Sequence, residues 1–201
     1  MEHARTSSVG DAGVKLNLGC GSTLVPGYVN VDKYGSPDVR HDLEEFPWPW
    51  GDDSVSEVRL IHVLEHLGTT PAKFLGVLDE LYRVCRHGAR LYIAVPHPRH
   101  DFFINDPTHV RAITPDTIRL SSKTLNRQWA KDGNANSPLG LHVDVDFELR
   151  DAEYLADEPY SQQLKDGKIT KEDLFAAAER YNNVFFEIRM IVEVVKETEG
   201  A

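Results

Sequence analysis

Before residue 97 the apolar positions fall into short, separated runs; beyond it they scatter among polar residues. Residues 14–18, VKLNL, read as a strand, and so do 28–32, YVNVD, after a turn containing Pro26 and Gly27. A brief extended piece follows around 37–43, PDVRHDL. FPWPWGDD, 46–53, reads as a loop from its Pro, Gly and Asp content. SEVRLI, 56–61, is another strand, with a short helix beginning at HVLEHL. The clearest helix spans 71–87: Thr70 caps it, Pro71 suits its first position, and Phe74, Leu75, Leu78, Leu81, Tyr82 and Cys85 recur at helical spacing. Gly88 fits the position just past its end. ARLYIAVP, 89–96, is nearly continuously apolar, as in a parallel strand buried on both faces.

Residues 97–111 are rich in His, Pro, Asp and Arg. A helix is expected from Thr114 with Pro115 at its first position, and DGNANSPLG, 132–140, is a loop. HVDVDFEL, 142–149, alternates strictly and predicts a half-exposed strand. Residues 150–170 are polar. Thr170 and Asp173 form a capping-box pattern before a helix to about Tyr181, and 183–197 read as a long final strand. The order predicts an α/β fold: one domain over 14–201, with insertions near 97–142 and 150–182, after a flexible tail at 1–13.

Length and composition narrow the class. The chain has 201 residues, which suits one domain with a real core. No apolar run approaches the ~18–20 residues of a membrane span, and the first residues lack the apolar centre of a signal peptide. The expectation is a cytoplasmic protein without a membrane role. Its two cysteines, Cys20 and Cys85, do not make a disulfide framework. The net charge of 22 − 32 = −10 opposes binding to a polyanion, because affinity for nucleic acid comes largely from Lys and Arg. A small molecule is the expected partner. The long final strand and the loops leave room for a homodimer.

The chemistry turns on KLNLGCGS, 15–22. A phosphate loop needs a Lys and a Ser or Thr after its last glycine; Ser22, Thr23 and Leu24 follow Gly21 here. A dinucleotide site wants a third glycine or alanine and an acid about 20 residues on. Leu24 holds the third position, and Asp32 comes too early. A nucleoside cofactor without a pyrophosphate needs less. Gly19 and Gly21 let backbone approach a ligand, Asp32 at the end of the second strand suits two ribose hydroxyls, and Asp42 suits an adenine amine.

In this order LNLGCGS, VNVD, HDL, LIHVLEHL and GARLYIAVPHP resemble a class I S-adenosylmethionine-dependent methyltransferase, in particular the small bacterial methyltransferase type 11-like proteins. The resemblance covers roughly 14–120. It implies a Rossmann-like, mostly parallel seven-stranded sheet in the order 3-2-1-4-5-7-6 with an antiparallel C-terminal strand. It implies S-adenosylmethionine as cofactor and S-adenosylhomocysteine as product. Leu18, Gly19, Cys20, Gly21 and His62 would meet the methionine moiety, Asp32 the ribose, and Asp42 with Leu43 the adenine. One departure stands out: the helix usual after the glycine turn is shortened to a loop, which exposes one sheet face unless the tail or a partner covers it.

The segment HPRHDFFINDPTHVR, 97–111, begins where the fifth strand ends and should overhang the methyl donor. Methyl transfer depends on positioning, and an alcohol acceptor benefits from a base near neutrality. His109 is the first candidate base and His97 the next, with Asp106 orienting and Arg99 and Arg111 holding an anionic acceptor group. Glu65 and His66 stand at the start of the short helix, where an acid also suits the dipole; the resemblance turns His66 to the substrate side. Trp48 and Trp50 are read as packing of a stiff loop. His97, His100 and Asp101, or His142, Asp144 and Asp146, offer metal donors, but a solvated face explains the second set more simply, and no metal is expected. The reading is O-methylation of a small acceptor such as a sugar. N-methylation, or cofactor binding without catalysis, stays open.

Overall fold

The computed structural model describes residues 13–197. The tail expected at 1–13 lies outside the described residues except for Gly13. Seven strands form one sheet: β1 (Val14–Leu18), β2 (Val29–Asp32), β3 (Val39–Arg40), β4 (Val55–Ile61), β5 (Cys85–Pro96), β6 (Phe147–Ala156) and β7 (Phe185–Val194). Their order is β3-β2-β1-β4-β5-β7-β6. The first five pair in parallel, and β7 runs antiparallel to both β5 and β6. β7 therefore has both edges taken, which closes it to edge-on pairing with another chain.

Helix α1 (Pro71–Val84) connects β4 to β5, and the Thr70 hydroxyl accepts the Lys73 N–H at its start. Its buried face, Phe74, Val77, Leu78, Leu81 and Val84, joins Leu16, Leu18, Val58, Leu60, Leu91, Ile93, Ile188 and Met190 in the main core. Each such side chain contributes about 1.5–3 kcal/mol by leaving water. Many of the alternate residues of the same strands are charged, and several pair with one another. Lys15 lies 3.2 Å from Glu57, and Arg189 lies 2.6 Å from Glu187. No helix stands between β1 and β2, so the shortened connection is real. A charged sheet face tolerates water, which explains how the fold does without that cover.

α2 (Asp101–Ile104), α3 (Pro115–Arg119), α4 (Lys123–Asp132) and α5 (Leu139–His142) link β5 to β6; α6 (Tyr160–Lys165) and α7 (Lys171–Arg180) link β6 to β7. The expected caps are present. Thr114 pairs reciprocally with Thr117, and Thr170 with Asp173.

Three expectations are corrected. α1 stops at Val84, and Cys85 is already extended. Gly88, at φ +75°, serves the irregular start of β5 instead of a helix end. Val55 faces Cys85 there, but Glu57 faces Arg90, so extra residues must bulge out. The strand expected at 142–149 begins at Phe147. Its first residues are tied to the start of α4 instead: Asp146 accepts the Lys123 N–H at 2.9 Å, and the Lys123 ammonium reaches Asp144 at 2.6 Å. Residues 150–156, expected within an insertion, are the body of β6.

Candidate functional site

The carboxyl ends of β1, β2, β3 and β4 open into a cavity of about 410 Å³, the place where open α/β sheets take their ligands. Its wall includes Gly19, Asp32, Asp42, Leu43, His62 and His66. Gly19 has φ +62°, and a Cβ on it would stand 2.6 Å from a methyl of Val63, so turn and wall pack as closely as backbone permits. The Gly21 N–H donates to Asp32 Oδ2 at 2.9 Å, and the Tyr34 N–H donates to Oδ1 at 2.8 Å. Those bonds fix the carboxylate and leave it further lone pairs for a ligand. Leu18 and Cys20 are buried and, like Gly21, do not line the cavity. Burial, followed by the charge of Asp32, raises the pKa of the Cys20 thiol, which makes it a poor nucleophile.

On the far wall Asp42 accepts the Glu44 N–H at 3.0 Å and pairs with Lys33 at 3.2 Å. Leu43 is held by the Trp48 indole, which donates to its carbonyl at 3.1 Å. Trp48 is itself buried against Trp50, edge to face, so both tryptophans stiffen this loop. His41, Tyr34 and Thr108 also line the cavity and were not legible in the sequence. His41 Nε2 is buried without a hydrogen-bond partner, an unmet polar atom on the cavity wall.

His62 follows β4 with φ +55°, a left-handed conformation that costs a non-glycine residue about 1–2 kcal/mol. Its N–H is anchored on the Ala94 carbonyl at 2.8 Å, and its Nε2 meets Glu187 at 2.8 Å. Glu65 first, then Glu187, raises the imidazole's pKa against the opposing effect of burial.

Behind His62 the 3-10 turn Leu64–His66 meets the His-rich loop. The N–H groups of Val110 and Arg111 both donate to the Glu65 carbonyl, at 2.9 and 3.3 Å. That tie brings the His109 ring to 4.6 Å from the His66 ring, centroid to centroid. His109 is stacked on Phe103, and its Nδ1 is 2.9 Å from the Phe103 carbonyl. It is nearly buried behind His66, which holds the cavity edge with Thr108. Asp106 accepts from both the N–H and the hydroxyl of Thr108, at 2.8 and 2.6 Å, and these bonds keep its carboxyl below the usual range. The Thr108 oxygen in turn lies 3.0 Å from His66 Nδ1.

Of the predicted acceptor-side residues only His66 lines the cavity; His109 and Asp106 stand behind it, and His97, Arg99 and Arg111 are engaged elsewhere. His97 packs beside Tyr154 and Phe185, and burial lowers its pKa. Arg99 reaches Asn182 and the Ala178 carbonyl at α7. Arg111 donates to the Gly68 carbonyl at 2.8 Å and lies over the Phe74 ring. A side chain locked onto its own chain is poorly placed to meet an anionic acceptor. Of the alternative metal donors, His100 caps α2 and pairs with Asp157 at 2.9 Å.

No family model matches the sequence, and no curated protein matches it. Solved structures do. An S-adenosylmethionine-dependent methyltransferase from Archaeoglobus fulgidus superposes with a TM-score of 0.56 at 17% identity, over 91% of this chain and 86% of that one. The YcgJ protein from Bacillus subtilis gives 0.50 at 16%, over 93% and 94%. The cyclase SpnF gives 0.53 at 14%, over 94% and 78%. Together with the strand order, these likenesses establish a Rossmann-like class I methyltransferase fold. Among the described residues, no helix is long and apolar enough to cross a membrane.

Proposed function

We propose that this protein is a cytoplasmic S-adenosylmethionine-dependent methyltransferase that methylates a hydroxyl oxygen of a small-molecule acceptor. One observation carries the reading: a single cavity at the strand ends is lined by Gly19, Asp32, Asp42, Leu43 and His62, with His66 at its edge. The glycine turn suits the methionine moiety, Asp32 the ribose, and the Asp42–Leu43 wall, with exposed Tyr34 beside it, the adenine. Net charge −10 favours a small acceptor over nucleic acid.

Bound S-adenosylmethionine would supply a methyl group on a sulfonium that departs as a thioether, while the acceptor oxygen would form the new C–O bond and lose its proton to solvent. Catalysis by this chain is chiefly positioning of donor and acceptor. His66 holds the acceptor edge of the cavity, and Glu65 and His109 are buried behind it. The Asp106–Thr108 bond sets the His66 tautomer: Thr108 spends its proton on Asp106, so it accepts from His66 Nδ1–H and leaves His66 Nε2 unprotonated.

Calorimetric titration with S-adenosylhomocysteine, with NAD as control ligand, tests the cofactor. Micromolar binding, about −8 kcal/mol, weakened at least about 100-fold by Asp32→Ala, is the expected outcome. Asp32→Asn, closer in shape, guards against loss of the turn itself. Failure of wild type to bind S-adenosylhomocysteine, or preference for NAD, overturns the reading.

A further inference from the structure

Glu65 is 1% exposed, and neither carboxylate oxygen has a hydrogen-bond partner. The nearest charged group described is His62 Nδ1, 3.5 Å from Oε1, too long for a hydrogen bond. A buried carboxylate left in this state is expensive, and an orphan of this kind in a native fold asks for an unseen ion or water. Glu65, His66 and His109 each bring one donor atom to a common point, with all three atoms within 4.8 Å of one another.

The hydrogen bonds around the two imidazoles match the needs of ligands. His109 Nδ1 faces the Phe103 carbonyl, an acceptor only, so it carries the proton there and Nε2 keeps a lone pair. His66 Nδ1 faces a Thr108 oxygen whose own proton points to Asp106, so His66 Nε2 also keeps its lone pair. Metal-bound histidines are held by this pattern, one ring nitrogen on a carbonyl or polar oxygen and the other on the ion. Asp106 Oδ2 stands 3.8 Å from His109 Nε2, adding a second negative charge beside the cluster.

We propose that Glu65, His66 and His109 bind one divalent cation of the zinc class at the acceptor edge of the cavity. Two imidazoles and one carboxylate suit Zn²⁺ and the first-row ions that share its taste for nitrogen. Three protein ligands leave a fourth coordination position free, and His66 sets the cluster at the cavity edge. Tetrahedral ligands at about 2.1 Å lie about 3.4 Å apart, so the donors close by about an ångström or so on binding. The cation's role rests on the methyltransferase reading: an acceptor hydroxyl on the open position is acidified and loses its proton to solvent before the methyl carbon arrives. The binding site itself does not depend on that reading.

The test uses the full chain, stripped with a chelator, then titrated by calorimetry with Zn²⁺ alone and by absorption with Co²⁺ alone. One equivalent bound, with visible Co²⁺ bands of a low-coordinate site, is expected. Glu65→Gln, His66→Ala and His109→Ala should each weaken binding at least about tenfold. Thr108→Val, which leaves the ligands in place, should weaken it less, and Thr108→Ser should restore it. Circular dichroism of each variant confirms folding. An absence of saturable binding to wild type, or binding unchanged in all three ligand variants, overturns the site, and a shared proton then takes the place of the cation. S-adenosylhomocysteine titration in chelator runs alongside. Cofactor binding without cation binding overturns this inference alone; cation binding without cofactor binding supports the site and overturns the methyltransferase reading.

Discussion

Glu80 on α1 and Glu65 on the 3-10 turn are both carboxylates taken out of water, at 7% and 1% exposure. Around Glu80 every contact is made. Its Oε2 accepts the Trp48 N–H at 2.6 Å and Arg83 Nη2 at 2.7 Å, and its Oε1 accepts Arg83 Nε at 2.8 Å. The same arginine reaches the Trp50 carbonyl at 3.0 Å and Asp52 at 2.6 Å. This region ties the tryptophan loop to α1 and holds Leu43 at the cavity. Around Glu65 the side-chain oxygens meet no donor, while its backbone carbonyl takes two. The main chain of Glu65 ties two segments together, while its side chain meets only His62, at 3.5 Å. A carboxylate that the fold completes belongs to architecture; one that it leaves incomplete belongs to a ligand.

The largest effect that would sharpen this contrast is on stability. Glu80→Ala strands the Trp48 N–H and the Arg83 guanidinium and should cost about 3 kcal/mol in urea unfolding. A loss below about 1 kcal/mol would remove the contrast from the Glu80 side. The next effect is its pH dependence. Arg83 first, then the Trp48 N–H, holds the Glu80 carboxyl below its ordinary value against the opposing effect of burial. A depressed carboxylate contributes stability that is complete above the unfolded-state value, about 4.3, and is lost as pH falls through the lower folded value. The stability gap between wild type and Glu80→Gln should therefore be about 1.5–3 kcal/mol at neutral pH and shrink in acid; a gap independent of pH would contradict the pairing. The smallest effect belongs to Glu65. In chelator, Glu65→Ala should cost no more than about 1 kcal/mol, because it breaks no hydrogen bond and removes a carboxylate that is costly to bury. A loss as large as that of Glu80→Ala would give Glu65 a structural partner and end the comparison.

The legible part of the molecule is the part built from neighbours in sequence. LNLGCGS declares a tight turn because positive φ at Gly19 and Gly21 needs glycine, and Asp32 closes a strand that begins a few residues on. Thr70, Thr114 and Thr170 declare helix starts because a cap acts over three residues. Errors arose where a local pattern was made by a distant contact. The alternation in HVDVDFEL comes from Asp144 and Asp146 reaching back to Lys123, so it resembled a strand without being one. Gly88 has the positive φ of a helix end, yet the pairing of β4 with β5 required it.

The candidate site divides along the same line. The strand-end half of the cavity wall was readable: Gly19, Asp32 and Asp42 each stand at or just past the end of a strand, and the resemblance added Leu43 and His62. The acceptor half was not. His97, Arg99 and Arg111 had the right chemistry in the right loop, but the fold engages them with Phe185, Ala178 and Gly68. Thr108 carried no signal, and Glu65 passed as an acid at a helix start. By itself the sequence determined the first strands, the glycine turn and the acids at the strand ends, because backbone freedom and short-range periodicity act locally; the strand order came only from the resemblance to a family. Only the tertiary structure decided which histidines meet, because two N–H groups on one carbonyl dock a distant loop against Glu65, and no spacing along the chain encodes that bond.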